Sequence, residues 1–141
     1  MPRKRNGHIM QGMSDIIPHD IKQFLVANIE SILQLEALLL LRRHQDQKLS
    51  CETIAIRLYV SPLDVAGTLR KLVARGLIVA EVQGAIEVFQ YNYTNQAVVQ
   101  AVDRVADLYT KYLIPVTNFI HQRPPKSLQE FSDAFKLNED E

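Results

Sequence analysis

The segment from Ser61 to Ile78 limits the folds open to this chain more than any other. Ser61-Pro62-Leu63-Asp64 is a strong helix start, with a capping serine, a proline at the first helical position and an acid in the first turn. Arg75-Gly76 is a matching stop, because glycine readily adopts the left-handed conformation that ends a helix. Strand-forming residues follow immediately. The segment therefore predicts a sharply delimited helix that leads into a strand.

A hairpin is expected next. Residues 77–82 and 85–93 are rich in strand formers, and Gln83-Gly84 is the candidate two-residue turn. Before the delimited helix, Ser50 caps a short helix over residues 51–58. Ser31 and Gln34 form a capping box, in which the Ser31 hydroxyl accepts the Gln34 amide hydrogen and the Gln34 side chain reaches back to the Ser31 amide. The order is therefore helix, short helix, capped helix and hairpin.

Helices are also predicted on both sides of this unit. An N-terminal helix begins at Pro18, and a long helix runs from Thr94 or Asn95 to about His121, with Pro115 expected to kink or break it. Apolar residues recur in the long helix at alternating spacings of four and three, as in a heptad seam. They are Val98, Val102, Val105, Tyr109, Tyr112, Val116 and Phe119. We interpret this seam as a homodimer interface, and the alternative is that it covers the chain's own core.

Composition excludes several classes of protein. The 141 residues are 47% hydrophobic and 23% charged, which is typical of a soluble globular protein. Sixteen basic and 16 acidic residues give a formal net charge of zero, so the chain as a whole is not a strongly basic nucleic-acid binder. The single cysteine, Cys51, forms no intramolecular disulfide. No uncharged apolar run reaches the length of a membrane span, and we expect a cytoplasmic protein that does not bind membranes.

The chain is expected to have five parts. Residues 1–13 form a flexible basic arm, 14–30 the N-terminal helix, 31–93 the central unit, 94–136 the C-terminal dimerisation helices and 137–141 an acidic tail. The arm holds Arg3-Lys4-Arg5, and without it the basic count falls from 16 to 13 against 16 acids, a net charge of −3. Whether Met1 or Met13 is the true start stays open.

Residues 31–93 resemble the winged helix-turn-helix transcription regulators, and in layout the multiple-antibiotic-resistance regulators most of all. The similar blocks are residues 34–39, 53–61 and 69–78, and the last of these, a Leu-x-x-Leu helix end followed by Gly-Leu-Ile and a strand, is the most recognisable. The resemblance implies a mainly α-helical fold with a small β-hairpin, in which a winged helix-turn-helix has flanking N- and C-terminal helices. It also implies that the C-terminal helices build a homodimer.

The resemblance further implies a surface that binds double-stranded DNA. Residues 61–75 become the recognition helix, whose early residues reach base edges in the major groove, and residues 80–89 become the wing. The positions carried over to the helix are Ser61, Leu63, Asp64, Ala66, Gly67, Arg70 and Lys71. Further contacts are predicted from Arg42, Arg43 and Arg57 and from Gln83 at the wing tip.

This sequence departs from the DNA-binding pattern in two ways. Ala66 and Gly67 stand where polar or basic side chains are usual, and neither donates a side-chain hydrogen bond to a base. Asp64 and the wing residues Glu81 and Glu87 repel phosphate. An alternative function is therefore a winged-helix module that binds a protein partner through a flat docking face formed by Leu63, Ala66 and Gly67 and has little or no affinity for DNA. Gly67 itself has two interpretations, namely packing against the neighbouring short helix or close approach of a partner.

Catalytic and metal sites are not predicted. The sequence holds no Gly-rich phosphate loop, no Gly-x-Ser-x-Gly and no assembled nucleophile and base, so we expect no enzyme activity. The four histidines have no neighbour at ligand spacing, and we expect neither a metal nor another cofactor.

Overall fold

The computed structural model describes residues 16–122, which form six helices and one three-stranded antiparallel sheet. This confirms a mainly α-helical fold with a small hairpin. The helices are α1 (His19–Asn28), α2 (Ile32–Arg43), α3 (Cys51–Leu58), α4 (Pro62–Ala74), α5 (Gln96–Lys111) and α6 (Leu113–Gln122). The strands are β1 (Leu49–Ser50), β2 (Ile78–Gln83) and β3 (Ile86–Tyr91). The predicted basic arm, the last part of the predicted dimerisation helices (residues 123–136) and the acidic tail lie outside the described residues.

The helices α3 and α4 form a helix-turn-helix with capped ends. The Ser50 hydroxyl accepts the Thr53 amide hydrogen at 3.2 Å, and the Ser61 hydroxyl accepts the Asp64 amide hydrogen at the same distance. Both caps were expected from the sequence. The turn between the two helices passes through Tyr59, whose φ of +60° lies in the left-handed region. A non-glycine residue rarely adopts this conformation, so the turn is more constrained than its sequence indicates.

The wing is the antiparallel pair β2–β3, with Ile78 opposite Tyr91 and Gln83 opposite Ile86. Gln83 is therefore the last residue of β2, and the two turn residues are Gly84 and Ala85. The prediction of a Gln83-Gly84 turn was wrong by one residue. Gly84 has a φ of +63°, and a positive φ at the first central position suits the right-handed twist of the flanking strands. The short strand β1 pairs with β3 on its other side.

A buried glutamine joins α1 to α2. Gln34 is the one polar residue fully buried among the described residues. Its amide accepts the Glu30 backbone hydrogen at 2.7 Å and donates to the Asn28 carbonyl at 2.9 Å. Its own backbone amide donates to the Ser31 hydroxyl, as the capping box predicts. The reciprocal bond was expected to reach the Ser31 amide, but it goes one residue further back because α1 ends immediately before this turn.

The predicted long C-terminal helix is two helices with a break at Tyr112. Pro115 explains the break, because a proline lacks the amide hydrogen that would bond to the carbonyl four residues earlier, at Lys111, and its ring clashes with that carbonyl. Within α6, Pro115 is the third residue, where a missing amide hydrogen leaves no intrahelical bond unmade. The upstream end is capped by Asn95, whose side chain accepts the Val98 amide hydrogen.

The core runs from α1 and α2 through the inner faces of α3 and α4 to the C-terminal helices. Seven of the 12 residues of α2 are buried, because the helix packs against α3, α4, α6 and the sheet. No single helix within residues 16–122 is both long and apolar enough to cross a membrane. Helices α1 and α2 reach that length and composition only when they are taken together, and the pair is bent by 101° at the break between them.

Candidate nucleic-acid interface

Helix α4 has one buried face and one exposed face. Val65, Leu69 and Leu72 point into the core and are fully buried. The seven positions assigned to DNA contact lie on the exposed part of the helix and its cap: Ser61, Leu63, Asp64, Ala66, Gly67, Arg70 and Lys71. The structure therefore presents all seven to solvent, and their role toward DNA remains a prediction.

Gly67 lies in open space on the exposed face of α4. A Cβ atom built at Gly67 meets no heavy atom within 4 Å outside its own helix turn and chain neighbours. Packing against the neighbouring short helix therefore does not explain this glycine, and that interpretation was wrong. A glycine in a helix interior costs about 1 kcal/mol relative to alanine, and nothing else in the described chain requires its absence of a side chain.

The two cations of α4 are both held by carboxylates. Arg70 makes a two-pronged contact with Glu87 on β3, with Nη1–Oε2 and Nη2–Oε1 distances of 3.0 and 2.5 Å. This hydrogen bonding keeps the pKa of the Arg70 guanidinium above its ordinary value. Lys71 contacts Glu30 at 3.1 Å, and Arg75 contacts the other oxygen of Glu30 at the same distance. The sequence indicated Glu87 only as a charge that repels phosphate, whereas the structure makes it the partner of Arg70.

The remaining predicted contacts are spread over the molecule. Arg42 binds Asp103 of α5 at 2.9 Å, and with Arg43 it lines a groove against α5 and α6. This pair therefore faces the C-terminal helices. Arg57 is exposed in the last turn of α3 and makes no ion pair with any of residues 16–122. Gln83 is exposed at the end of β2, as a wing-tip residue should be.

A groove of about 360 Å³ separates α4 from the wing. Ala66 and Arg70 line one side, and Ile86 and Glu87 line the other. Cys51 also lines the groove, and its thiol donates to the Pro62 carbonyl at an Sγ–O distance of 3.4 Å. Burial raises the pKa of this thiol, which opposes the thiolate form that a reactive cysteine needs.

Three large apolar side chains are exposed at the helix-turn-helix, and of these only Leu63 was expected on the surface from the sequence. Ile56 is 73% exposed, Tyr59 94% and Leu63 84%. The sequence around Ile56 and Tyr59 is typical of the end of an amphipathic helix. Tyr59 has the left-handed backbone of the turn, a conformation that the sequence pattern does not indicate.

The apolar seam of the C-terminal helices largely serves the core of a single chain. Val102, Val105 and Val116 are fully buried within one chain, so these three positions are not free to contact a partner in this arrangement. The others are less covered: Val98, Tyr109 and Phe119 are half-buried, and Tyr112 is exposed. For the three buried valines, the structure favours the alternative that the seam covers the core.

Tyr109 of α5 is hydrogen-bonded to α2. Its hydroxyl donates to Oε2 of Glu36 on α2 at 2.7 Å. Burial, followed by this hydrogen bond, raises the pKa of Tyr109 to about 12. Three residues further along, at the break between α5 and α6, an exposed apolar surface is made of Tyr112, Leu113 and Ile114.

Solved structures share this architecture. A Staphylococcus aureus MepR–DNA complex matches with a TM-score of 0.54 at 17% identity, over 97% of this chain and 95% of that one. MepR described as a transcription regulator of the multidrug efflux pump MepA matches with a TM-score of 0.50 at 16% identity, over 95% of this chain and 96% of that one. A double mutant of Lactococcus lactis ZitR in apo form matches with a TM-score of 0.50 at 18% identity, over 98% and 92%.

At the level of sequence, no protein-family model and no curated protein matches the chain. MepR and ZitR are winged-helix regulators of the multiple-antibiotic-resistance type, and each match covers nearly the whole of both chains. At identities below 20%, such a likeness establishes the fold. The chain therefore has the winged helix-turn-helix fold and the layout of the multiple-antibiotic-resistance regulators.

Proposed function

We propose that this protein is a cytoplasmic DNA-binding transcription regulator that acts as a homodimer. The observation that carries the proposal is the uncovered outer face of α4, the second helix of a helix-turn-helix, in a fold that MepR uses in a complex with DNA. In this mode of binding, two copies of α4 enter successive major grooves about 34 Å apart. The wing then lies over the neighbouring DNA backbone.

The positive charges near α4 suit a modest number of phosphate contacts. Arg57 is exposed and has no ion-pair partner among the described residues. Arg70 and Lys71 are mostly exposed, and exposed ion pairs contribute little to stability. Phosphate oxygens therefore replace Glu87 and Glu30 at small cost. Because each phosphate contact releases counterions, affinity should fall steeply as salt is raised.

A homodimer is supported by the apolar surface at the α5–α6 break. Tyr112, Leu113 and Ile114 are exposed next to one another in the chain, and large apolar side chains that adjoin in this way are typical of interaction sites. A second copy of the chain would cover them, together with the half-buried seam residues. The proposed interface is therefore shifted from the buried valines of the seam to the break.

The first test is a fluorescence-anisotropy titration against a generic duplex, from low to physiological salt. The full chain and a chain that starts at Met13 are compared. A steep salt slope shared by both supports phosphate contacts within the winged helix. A slope seen only with the longer chain assigns binding to Arg3-Lys4-Arg5. Absence of binding at low salt refutes the proposal and leaves a protein partner as the function to seek.

Charge reversal locates the contact. Replacing both Arg70 and Lys71 by Glu should abolish binding, because two phosphate contacts become repulsive. The control is Arg104→Glu, which makes the same type of change on α5 away from the proposed dimer contact, where the arginine pairs with Asp20 of α1. If the control weakens binding as much as the double variant does, DNA does not lie against α4. Circular dichroism checks that each variant is folded.

The dimer is tested separately by sedimentation equilibrium. Leu113→Asp should shift the chain toward monomer, because it places a charge in the proposed apolar contact. Val26→Asp, an equally drastic change at an exposed apolar position of α1, is the control. A wild-type chain that remains monomeric at high concentration would contradict the homodimer.

A further inference from the structure

We infer that the exposed face of α4 reads the 5-methyl groups of thymine in the major groove, through an apolar strip made of Leu63, Ala66 and Gly67. This inference rests on the proposed function and specifies it further, because it names the chemical feature of DNA that the helix recognises. The three residues occur at spacings of three and four, so they lie on one face of the helix. We call them the reading strip.

Leu63 leads the reading strip. It is the second residue of α4 and is 84% exposed, although burying a leucine side chain is worth about 2 kcal/mol. In a docked helix-turn-helix, the first residues of the second helix are those that meet base edges. An isobutyl group makes no hydrogen bond there, but it can pack against the thymine methyl, which is the one apolar group that base pairs present in the major groove.

Ala66 and Gly67 complete the strip, and their side chains project little or not at all beyond the helix backbone. Both are exposed, and the position of Gly67 has open space around it. Such a surface lets the edges of base pairs come close to the helix backbone. A longer side chain at either position would hold the helix away from the groove floor and move Leu63 out of reach of a methyl group.

The cations around the strip are directed away from the base edges, so they compete little with the strip for contacts to the bases. Arg70 is drawn toward the wing by Glu87, and Lys71 toward the α1–α2 turn by Glu30. From these edges the two cations suit phosphates, which lie on either side of a major groove. Asp64 is acceptor-only when ionised, so in that groove it can accept hydrogen bonds only from the cytosine N4 and adenine N6 amino groups.

The experiment compares duplexes that differ by the methyl group alone. The probes are an alternating dA-dT duplex and the same duplex with deoxyuridine in place of thymidine, since uracil lacks only the 5-methyl. Wild-type affinity should fall about fourfold for each methyl that the strip buries. The converse pair is an alternating dG-dC duplex with and without 5-methylcytosine, which places a methyl at the same position in the groove. Here the methylated duplex should bind more tightly.

Leu63→Ala links the effect to the strip. This variant should bind the thymine duplex more weakly and lose most of the difference between thymine and uracil. Since Leu63 is exposed, its removal should leave the fold intact, which circular dichroism checks. Val26→Ala, an exposed apolar truncation on α1, should keep the full methyl dependence.

The outcomes separate the inference from the proposed function. Tight binding that is equal for thymine and uracil duplexes overturns the reading of methyl groups and leaves a DNA-binding regulator standing. A methyl dependence that survives in Leu63→Ala also overturns it, because another residue then makes the contact. If no duplex binds at low salt, the proposed function fails, and the inference fails with it.

Discussion

Gly67→Ala should make the protein more stable and its DNA binding weaker. The gain in stability follows from the structure: Gly67 is inside α4, its φ is not positive, and an added Cβ meets nothing within 4 Å. Alanine therefore enters without strain and stiffens the unfolded chain. The expected increase in the free energy of unfolding is about 1 kcal/mol, or about 3–5 °C in Tm for a chain of this size.

The loss of affinity follows from the proposed contact. If base-pair edges approach the backbone at Gly67, a new methyl group overpacks that contact, and overpacking costs about 1–3 kcal/mol. Affinity for an alternating dA-dT duplex should thus fall about tenfold. Urea unfolding followed by circular dichroism measures stability, and anisotropy at fixed salt measures affinity.

Ala66, the neighbouring residue, provides a matched control in which the expected change in the free energy of unfolding has the opposite sign. Ala66→Gly removes a methyl group from an equally exposed position of the same helix. It should lower the free energy of unfolding by about 1 kcal/mol while leaving close approach unhindered. If Gly67→Ala is not stabilising, the account of its surroundings is wrong. If it is stabilising and the affinity is unchanged, DNA does not approach the helix at Gly67.

Three further predictions concern charge, packing and pH. Glu87→Gln removes the carboxylate that competes with phosphate for Arg70, so DNA affinity measured at fixed salt should rise; Glu52→Gln, at a nearby exposed acid, should raise it less. Gln34→Ala leaves two backbone groups unpaired and should cost about 2–4 kcal/mol in urea unfolding. Because the pKa of Tyr109 is raised to about 12 in the folded state against 10 ordinarily, stability should fall as pH rises from 10 to 12, and Tyr109→Phe should lessen that fall in pH-dependent unfolding.

The features that sequence predicts well in this chain are set by neighbours a few residues away. The serine caps at positions 31, 50 and 61 each bind an amide three residues further on, which the sequence shows directly. Gly76 has a φ of +76° and terminates α4, as the sequence predicts. Pro115 was expected to disturb the last helix, and the break falls three residues earlier because the proline acts on the carbonyl of Lys111.

The features that sequence does not show depend on long-range contacts. The short strand β1 exists because Leu49 pairs with Phe89, 40 residues later, and two residues are too few to produce a pattern. The heptad seam contains the right apolar residues, but the same spacing suits a partner helix or the chain's own core. Only the packing of Val102 and Val105 in one chain distinguishes the two.

Charge counts along the chain and charge pairing in space lead to different conclusions about α4. Counted along residues 61–93, three cations oppose three acids, which argues for weak attraction to DNA. In space, Glu87 and Glu30 hold the cations of α4 at its two edges, so the outer face between them carries Leu63, Ala66 and Gly67, with Asp64 as its one exposed charge. A helix of this kind is poorly suited to hydrogen-bonded base readout but well suited to shape and methyl contacts. The absence of donors at Ala66 and Gly67 therefore points to the kind of site that is bound, and it does not by itself argue against DNA.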